Sequence, residues 1–288
     1  MKIALLGTGR MGTVLGHHVV RAGHSLTVWN RTRAAAEPLL AAGAAWAATP
    51  AEAVTGTDVA VSVLFGPEAV RDVVVDAELD FGDTVWLDVS TVAPADAAQF
   101  AVWARWRSVR YVHGPVIGSL GPARAGELGV LLGGEPDDID VVHPLVQLWG
   151  DAAKITVFAS PELAATAKLL ANLALGTTTL ALVDALRLGA SQGLAAPEVF
   201  ALLDGTALEF AARVKGPMIA AARFTDTQFS VDLLAKDTRL IEDTVDSTVP
   251  TVTALSIALA EQIRAGRGDE DFAALARVVP APAALPNS

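Results

Sequence analysis

A doubly wound α/β sheet followed by an all-α domain is the fold this chain predicts, and three observations predict it. The first 33 residues read as strand, glycine-rich turn, helix and strand. Apolar runs of strand length then alternate with helical patterns as far as residue 159. From Ser160 the strand-like runs stop and helical periods take over, opening on a stretch at 161–192 that reads as one long interdomain helix. The expected division is 1–159, 160–279 and a flexible tail at 280–288.

The opening unit is the most informative. Lys2-Ile3-Ala4-Leu5-Leu6 is a short apolar run of buried-strand type, and Gly7-Thr8-Gly9-Arg10-Met11-Gly12 follows at once. A helical pattern through Val14, Leu15, Val19 and Val20 ends at Gly23, and residues 25–29 read as the next strand. This is the Rossmann unit that binds a dinucleotide. Gly7 permits the tight turn, Gly9 lets the backbone approach a pyrophosphate, and Gly12 lets helix and strand pack closely. The helix start offers unpaired N–H groups and a positive dipole end to the phosphates. At the end of the second strand, where an NAD site places a carboxylate, the chain has Asn30-Arg31-Thr32-Arg33. Guanidinium groups and a hydroxyl suit a 2′-phosphate, so NADP is the expected cofactor.

Composition limits the alternatives. The chain has 288 residues, 52% of them hydrophobic and 18% charged, enough for two cores and too apolar for disorder. A net charge of −11 argues against nucleic acid or an anionic membrane as partner. With no cysteine there is no disulfide, iron–sulfur cluster or thiolate zinc site, and the five histidines lack metal-ligand spacing. His17 and His18, in the first helix, read as surface or packing residues. No targeting segment is visible, and the expected location is cytoplasmic.

In order, helices are expected at 34–42, 50–54 (capped by Thr49), 68–74, 94–107 and 139–149, and strands at 58–64, 84–89, 109–113, 128–132 and 153–158. Residues 114–122 read as a loop, and Gly133-Gly134 as a turn. Leu64 and Phe65, closing one strand, are assigned to the cofactor site. Ser90 and Thr91 stand just past the carboxyl end of another, where open α/β sheets place ligands. The 161–192 helix is apolar nearly all round, which calls for a partner subunit and hence a homodimer formed through the helical domain. Further helices are expected at 197–204, 207–210, 217–222, 231–245, 250–265 and 272–278.

Within the long helix, Lys168 and Asn172 are four residues apart and share a face. Spacing alone leaves Lys168 open between a snorkelling lysine and a proton-transfer group. Lys236-Asp237 likewise reads as a helix ion pair on spacing alone.

Taken together, these segments resemble the β-hydroxyacid dehydrogenase family, which includes 3-hydroxyisobutyrate dehydrogenase, glyoxylate and succinic semialdehyde reductases and 6-phosphogluconate dehydrogenase. The resemblance spans nearly the whole chain. Leu6 to Gly12 with Ala22-Gly23-His24 is similar to the opening signature, Asp88-Val89-Ser90-Thr91 to the D-x-S-T segment, and Gly114 to Ser119 to the substrate loop. Lys168 and Asn172 fall on the K-x-x-N helix, Lys236-Asp237 on the K-D motif, and Gly268 to Phe272 on the closing segment. The resemblance implies that Lys168 is the general acid/base, that Asn172 orients substrate, and that Lys236 closes over the cofactor. It implies a small-molecule substrate held by Ser90, Thr91, Ile117, Gly118 and Ser119.

The chain departs from the family where its substrate loop usually reads P-V-S-G-G: Ile117 stands at the serine and Ser119 at the second glycine. An apolar residue there suits a bulkier or less charged substrate than a small hydroxy acid. Imine reductases share the fold and NADPH use, but usually carry Asp or Tyr in place of the lysine. An NADPH-dependent imine reductase and a non-catalytic NADP-binding sensor are therefore the alternatives to a carbonyl reductase or hydroxyacid dehydrogenase.

Overall fold

Strand β1 (Lys2–Leu6) pairs in parallel with β2 (Ser25–Trp29) on one side and β4 (Val59–Ser62) on the other. The sheet extends from β2 to β3 (Ala45–Trp46), and from β4 through β5 (Val85–Asp88) to β6 (Arg110–His113), all parallel. Next to β6, strand β8 (Leu128–Gly134) runs antiparallel to β6 and to β7 (Val116–Ile117), while β9 (Gly150–Phe158) runs parallel to β8. This is a computed structural model, it describes residues 1–278, and the chain divides into one compact unit at Met1–Leu169 and another from Leu170 on.

Alternation along the strands gives the sheet two cores. Ile3, Leu5, Val28, Val61 and Leu87 point to one face, where they meet α1 (Arg10–Arg21) and α7 (Pro136–Val146) through Leu15, Val19, Val142 and Leu145. Ala4, Leu6, Ala60 and Trp86 point to the other, against α3 (Pro50–Val54), α4 (Pro67–Val70) and α5 (Pro94–Trp106) through Ala53, Val70 and Phe100. Helices on both faces make the sheet doubly wound. Thr49 caps α3 as expected, its hydroxyl accepting from the Glu52 N–H at 3.1 Å.

The second unit is helical. Helix α8 (Pro161–Ser191) is continuous over 31 residues, and is followed by α9 (Ala196–Leu202), α10 (Glu209–Ala220), α11 (Val231–Thr244), α12 (Pro250–Arg264) and a 3₁₀ segment, Phe272–Val278. Val183 of α8 shares a core with Leu234, Leu255, Leu259 and Phe272, and Leu182 and Leu186 share another with Val199 and Ala211.

Several expected boundaries need correction. The loop foreseen at 114–122 contains β7 and the start of helix α6 (Leu120–Ala125), because Val116 and Ile117 pair with β8 and Leu120 and Ala123 are buried. Gly133 and Gly134 belong to β8 and are no turn. A Cβ on Gly133 would lie 2.3 Å from the Ser160 carbonyl oxygen, so this glycine serves a close backbone crossing. Helix α7 starts at Pro136, three residues earlier than foreseen, since proline fits the first helical turn. The helices foreseen at 207–210 and 217–222 are the single helix α10, which tolerates Pro217 in its last turn while Ala212, Lys215 and Gly216 bury one side. The 34–42 helix opens as a 3₁₀ turn, Arg33–Ala36, before α2 (Glu37–Ala41). After α4 the chain widens into an i→i+5 turn, Asp76 N–H donating to the Arg71 carbonyl at 2.8 Å. The tail foreseen at 280–288 lies outside the described residues.

Candidate active site

The glycine turn is built as the motif requires. Gly7 has φ +104°, and the Gly7 N–H donates to the Trp29 carbonyl at 2.9 Å. A Cβ on Gly12 would come within 2.1 Å of the Gly7 carbonyl oxygen, so turn and helix meet backbone to backbone. Gly9 is different. Its φ of −65° is open to any residue, and a Cβ there would meet nothing of the chain within 4 Å. Neither conformation nor packing asks for glycine at this position, whereas the close approach of a pyrophosphate does. The start of α1 has no capping side chain and no acidic residue in its first turn, where Arg10 is exposed and Met11 half-buried, leaving its N–H groups to an anion. Thr8 donates its N–H to Asn30 Oδ1 at 3.0 Å, tying turn to second strand, and its buried hydroxyl oxygen has no hydrogen-bond partner among the described residues. These features fit a dinucleotide.

Beyond β2, Asn30 Nδ2 donates to the Thr32 carbonyl at 2.9 Å, and Arg31, Thr32 and Arg33 are exposed. Arg33 lies 3.8 Å from the Glu37 carboxylate and over the Trp46 ring at 5.3 Å. Phe65 is exposed and Leu64 half-buried at the end of β4. Ser90 is buried, and its hydroxyl accepts from the Leu64 N–H at 3.0 Å, which brings two of the sequence-predicted segments together. Thr91 follows, half-buried. Ile117 is exposed on β7, with Gly118 exposed and Ser119 half-buried after it, so the residue at the family's serine position presents an apolar surface.

On α8, Lys168 is 9% and Asn172 4% exposed, too buried for a solvated helix face. Asn172 Nδ2 donates to Asp237 Oδ2 at 2.6 Å, and the other oxygen of Asp237 pairs with Lys236 Nζ at 2.8 Å. Asp237 therefore gathers Asn172 and Lys236 on one carboxylate. The sequence reading missed this role, although its K-D match had marked the residue. The closing segment is a structural knot. Asp271, fully buried, accepts from the N–H groups of Gln228 (3.0 Å), Phe229 (3.1 Å) and Ala273 (2.9 Å) and pairs with Lys215 Nζ at 2.7 Å. Burial pulls the Lys215 pKa down, and the Asp271 carboxylate opposes it.

Residues 2–159 match the family described as the NAD binding domain of 6-phosphogluconate dehydrogenase, more than half of the chain. The chain belongs to the β-hydroxyacid dehydrogenase family. Residues 163–279 match a second description, the NAD-binding domain of NADP-dependent 3-hydroxyisobutyrate dehydrogenase. Among curated relatives, the NAD-dependent L-serine dehydrogenase of Pseudomonas aeruginosa is 28% identical, covering 96% of this chain and 97% of its own. Glyoxylate/succinic semialdehyde reductase 1 of Arabidopsis thaliana is 27% identical over 97% and 98%. The solved structure of Mycobacterium tuberculosis 3-hydroxyisobutyrate dehydrogenase with L-serine superposes with a TM-score of 0.85 at 27% identity, covering 97% of this chain and 99% of the other. An imine reductase from Myxococcus stipitatus in complex with NADP+, 21% identical, shares the fold with a TM-score of 0.66 over 97% of this chain and 100% of that one. The family makes this chain an NAD(P)-binding oxidoreductase of the hydroxyacid dehydrogenase type.

Proposed function

We propose that the protein reduces an aldehyde or ketone, or oxidises the corresponding alcohol, with NADP as cofactor and Lys168 as general acid/base. The observation that carries the reading is the burial of Lys168 one helical turn from Asn172, whose amide is fixed by Asp237. The nicotinamide ring supplies or accepts the hydride when bound. As negative charge grows on the substrate oxygen, Lys168 Nζ stabilises it and delivers a proton; in oxidation the same atom removes it. Asn172, held by the bond from its Nδ2 to Asp237, orients the substrate beside Lys168. Exposed Ile117 favours a substrate with an apolar or uncharged group at that position rather than a second carboxylate.

The preference for NADP rests on Arg31, Thr32 and Arg33 standing where an NAD site carries a carboxylate. Leu163, Leu170 and Leu188 are exposed along α8, and we take them as the seam of a homodimer. The test is a panel of semialdehydes, glyoxylate and cyclic imines followed by NADPH and NADH absorbance, in wild type and Lys168→Ala. A carbonyl should be the best substrate, and Lys168→Ala should lower kcat by roughly a hundred- to ten-thousandfold, the size of a general-acid effect. NADPH affinity should stay within twofold. A cyclic imine turned over best by wild type, with Lys168→Ala fully active, would move the reading to imine reduction.

A further inference from the structure

Ser62, Asp88 and His113 stand side by side in register at the carboxyl ends of β4, β5 and β6, and all three are fully buried. One residue earlier the same three strands carry Val61, Leu87 and Val112. A polar row thus closes an otherwise apolar sheet at the end where open α/β folds place ligands. Asp88 is its centre. Its Oδ1 accepts from the Ser62 hydroxyl at 2.7 Å and from the Ser90 N–H at 3.1 Å, and its Oδ2 lies 3.5 Å from His113 Nδ1. Ser62 Oγ in turn accepts from Trp86 Nε1 at 2.8 Å, which directs the serine's proton to Asp88. The Asp88 main-chain carbonyl accepts from the Gly114 N–H at 2.7 Å, holding the start of the β6–β7 connection. Ser90 passes the restraint on, because its hydroxyl accepts from Leu64 N–H and still has a proton to give.

We infer that Asp88 is a positioning residue for the nicotinamide half of the dinucleotide site, acting through Ser90 on the Leu64–Phe65 turn. The inference rests on the cofactor reading above and names the part of that site it governs. A carboxylate in the interior of a parallel sheet carries a desolvation cost that an apolar side chain of similar size would avoid. What it achieves is geometric: one group fixes the backbone of Ser90, the side chain of Ser62 and, through Ser90 Oγ, the chain leaving β4. The glycine turn and Asn30 are tied to each other by a separate bond, Thr8 N–H to Asn30 Oδ1, outside this network. The two halves of the cofactor should therefore respond independently.

The experiment compares calorimetric affinities for NADP+ and for its adenine-side fragment 2′,5′-ADP in wild type, Asp88→Ala and Ser90→Ala. Asp88→Ala should weaken NADP+ binding by about ten- to a hundredfold, as several linked hydrogen bonds are lost. Ser90→Ala, which removes only the bond to Leu64 and the hydroxyl, should weaken it by about two- to tenfold. In both variants 2′,5′-ADP should bind within twofold of wild type, a pattern that a general loosening of the fold would not give. Should Asp88→Ala fail to fold, Ser90→Ala decides alone. Unchanged NADP+ affinity in Ser90→Ala, or fragment and dinucleotide weakened in step, would overturn the assignment. A wild type that bound neither NADP+ nor NAD+ would instead overturn the cofactor reading, and this assignment with it.

Discussion

Two carboxylates, one in each unit, are buried completely and solve the problem of buried charge in opposite ways. Asp271, in the helical unit, has an ammonium partner in Lys215 and three backbone N–H donors, so its charge is both neutralised and fully solvated by the protein. Asp88, in the sheet unit, is surrounded by neutral donors, with the His113 ring beside it. Asp271 lashes the chain before α11 to the 3₁₀ segment Phe272–Val278, and Ser230, the cap of α11, lies in that lashed stretch. It acts on stability. Asp88 stands at the carboxyl end of a parallel strand and is linked through Ser90 to the chain leaving β4. The lesson is that burial and hydrogen-bond count alone do not assign a role to a carboxylate, and its place in the fold must be read as well.

The largest expected effect comes from breaking the Asp271 pair. Lys215→Met removes the counter-ion, leaves the carboxylate in the interior, and should destabilise the protein by about 3–5 kcal/mol. The Phe272 ring, 4.2 Å from Lys215 Nζ, would lose its cation as well. Asp271→Leu should cost at least as much, since it strands three backbone N–H groups as well as the Lys215 ammonium. Denaturant midpoints measure both. The comparison breaks if Lys215→Met is as stable as wild type, because Asp271 would then be carried by neutral donors just as Asp88 is.

An intermediate effect is expected where the helical unit leaves apolar surface uncovered. Leu170, Leu188, Leu202 and Phe210 are all more than half exposed in the helical unit. If α8 is the dimer seam, Leu188→Asp should raise the dimer dissociation constant by roughly tenfold or more, the loss of one apolar anchor and the burial of a charge. Sedimentation velocity across a dilution series reads it. A wild type that sediments as a monomer at micromolar concentration rules the seam out.

Much of the fold was legible because each element states its own period. The apolar runs of β1, β4 and β5 and the long period of α8 needed no tertiary information. The misplacements share one cause, which is information carried by a neighbour. Gly133 and Gly134 look like a turn until the close backbone crossings at Ser160 and Tyr111 are known. Val116 and Ile117 read as loop because a two-residue strand has no period, and only pairing with β8 defines it. Pro217 reads as a helix start because proline usually is one. At the candidate site the glycine turn was legible from local spacing, and Lys168 and Asn172 shared a face by arithmetic. That Asp237 would gather Asn172 and Lys236 was not legible, since the partners are 65 residues apart for Asn172 and adjacent for Lys236. The pairing of Asp88 with His113 was hidden likewise, since the two are 25 positions apart in the chain and adjacent only in the register of β5 and β6.

The smallest expected effect sharpens the contrast from the side of pH. Tyr111, the single tyrosine of the chain, is buried on β6 with its ring 4.6 Å from that of Trp86 and its hydroxyl 3.5 Å from His113 Nδ1. Burial pushes its pKa well above 10.0, and the negative charge of Asp88 pushes it further. Above about pH 10 the unfolded chain therefore releases this proton while the folded chain retains it. The folded state binds more protons there, so stability falls as pH rises, by at most about 1.4 kcal/mol per pH unit for one group. Below that range Tyr111 is neutral in both states and contributes no pH dependence. Burial acts on Lys215 with the opposite sign, since its lowered pKa lets the folded state give up a proton first and stability gain as pH rises. Tyr111→Phe should remove the tyrosine's share of the alkaline slope and leave the lysine's. Urea midpoints of wild type and Tyr111→Phe between pH 9 and 11 should run parallel at first and then diverge, with the variant holding its stability better, a window set by the ordinary tyrosine pKa of about 10. Curves that stay parallel throughout would show that Tyr111 ionises in the folded protein as readily as in the unfolded chain, and that the carboxylate beside it is far better screened than its burial implies.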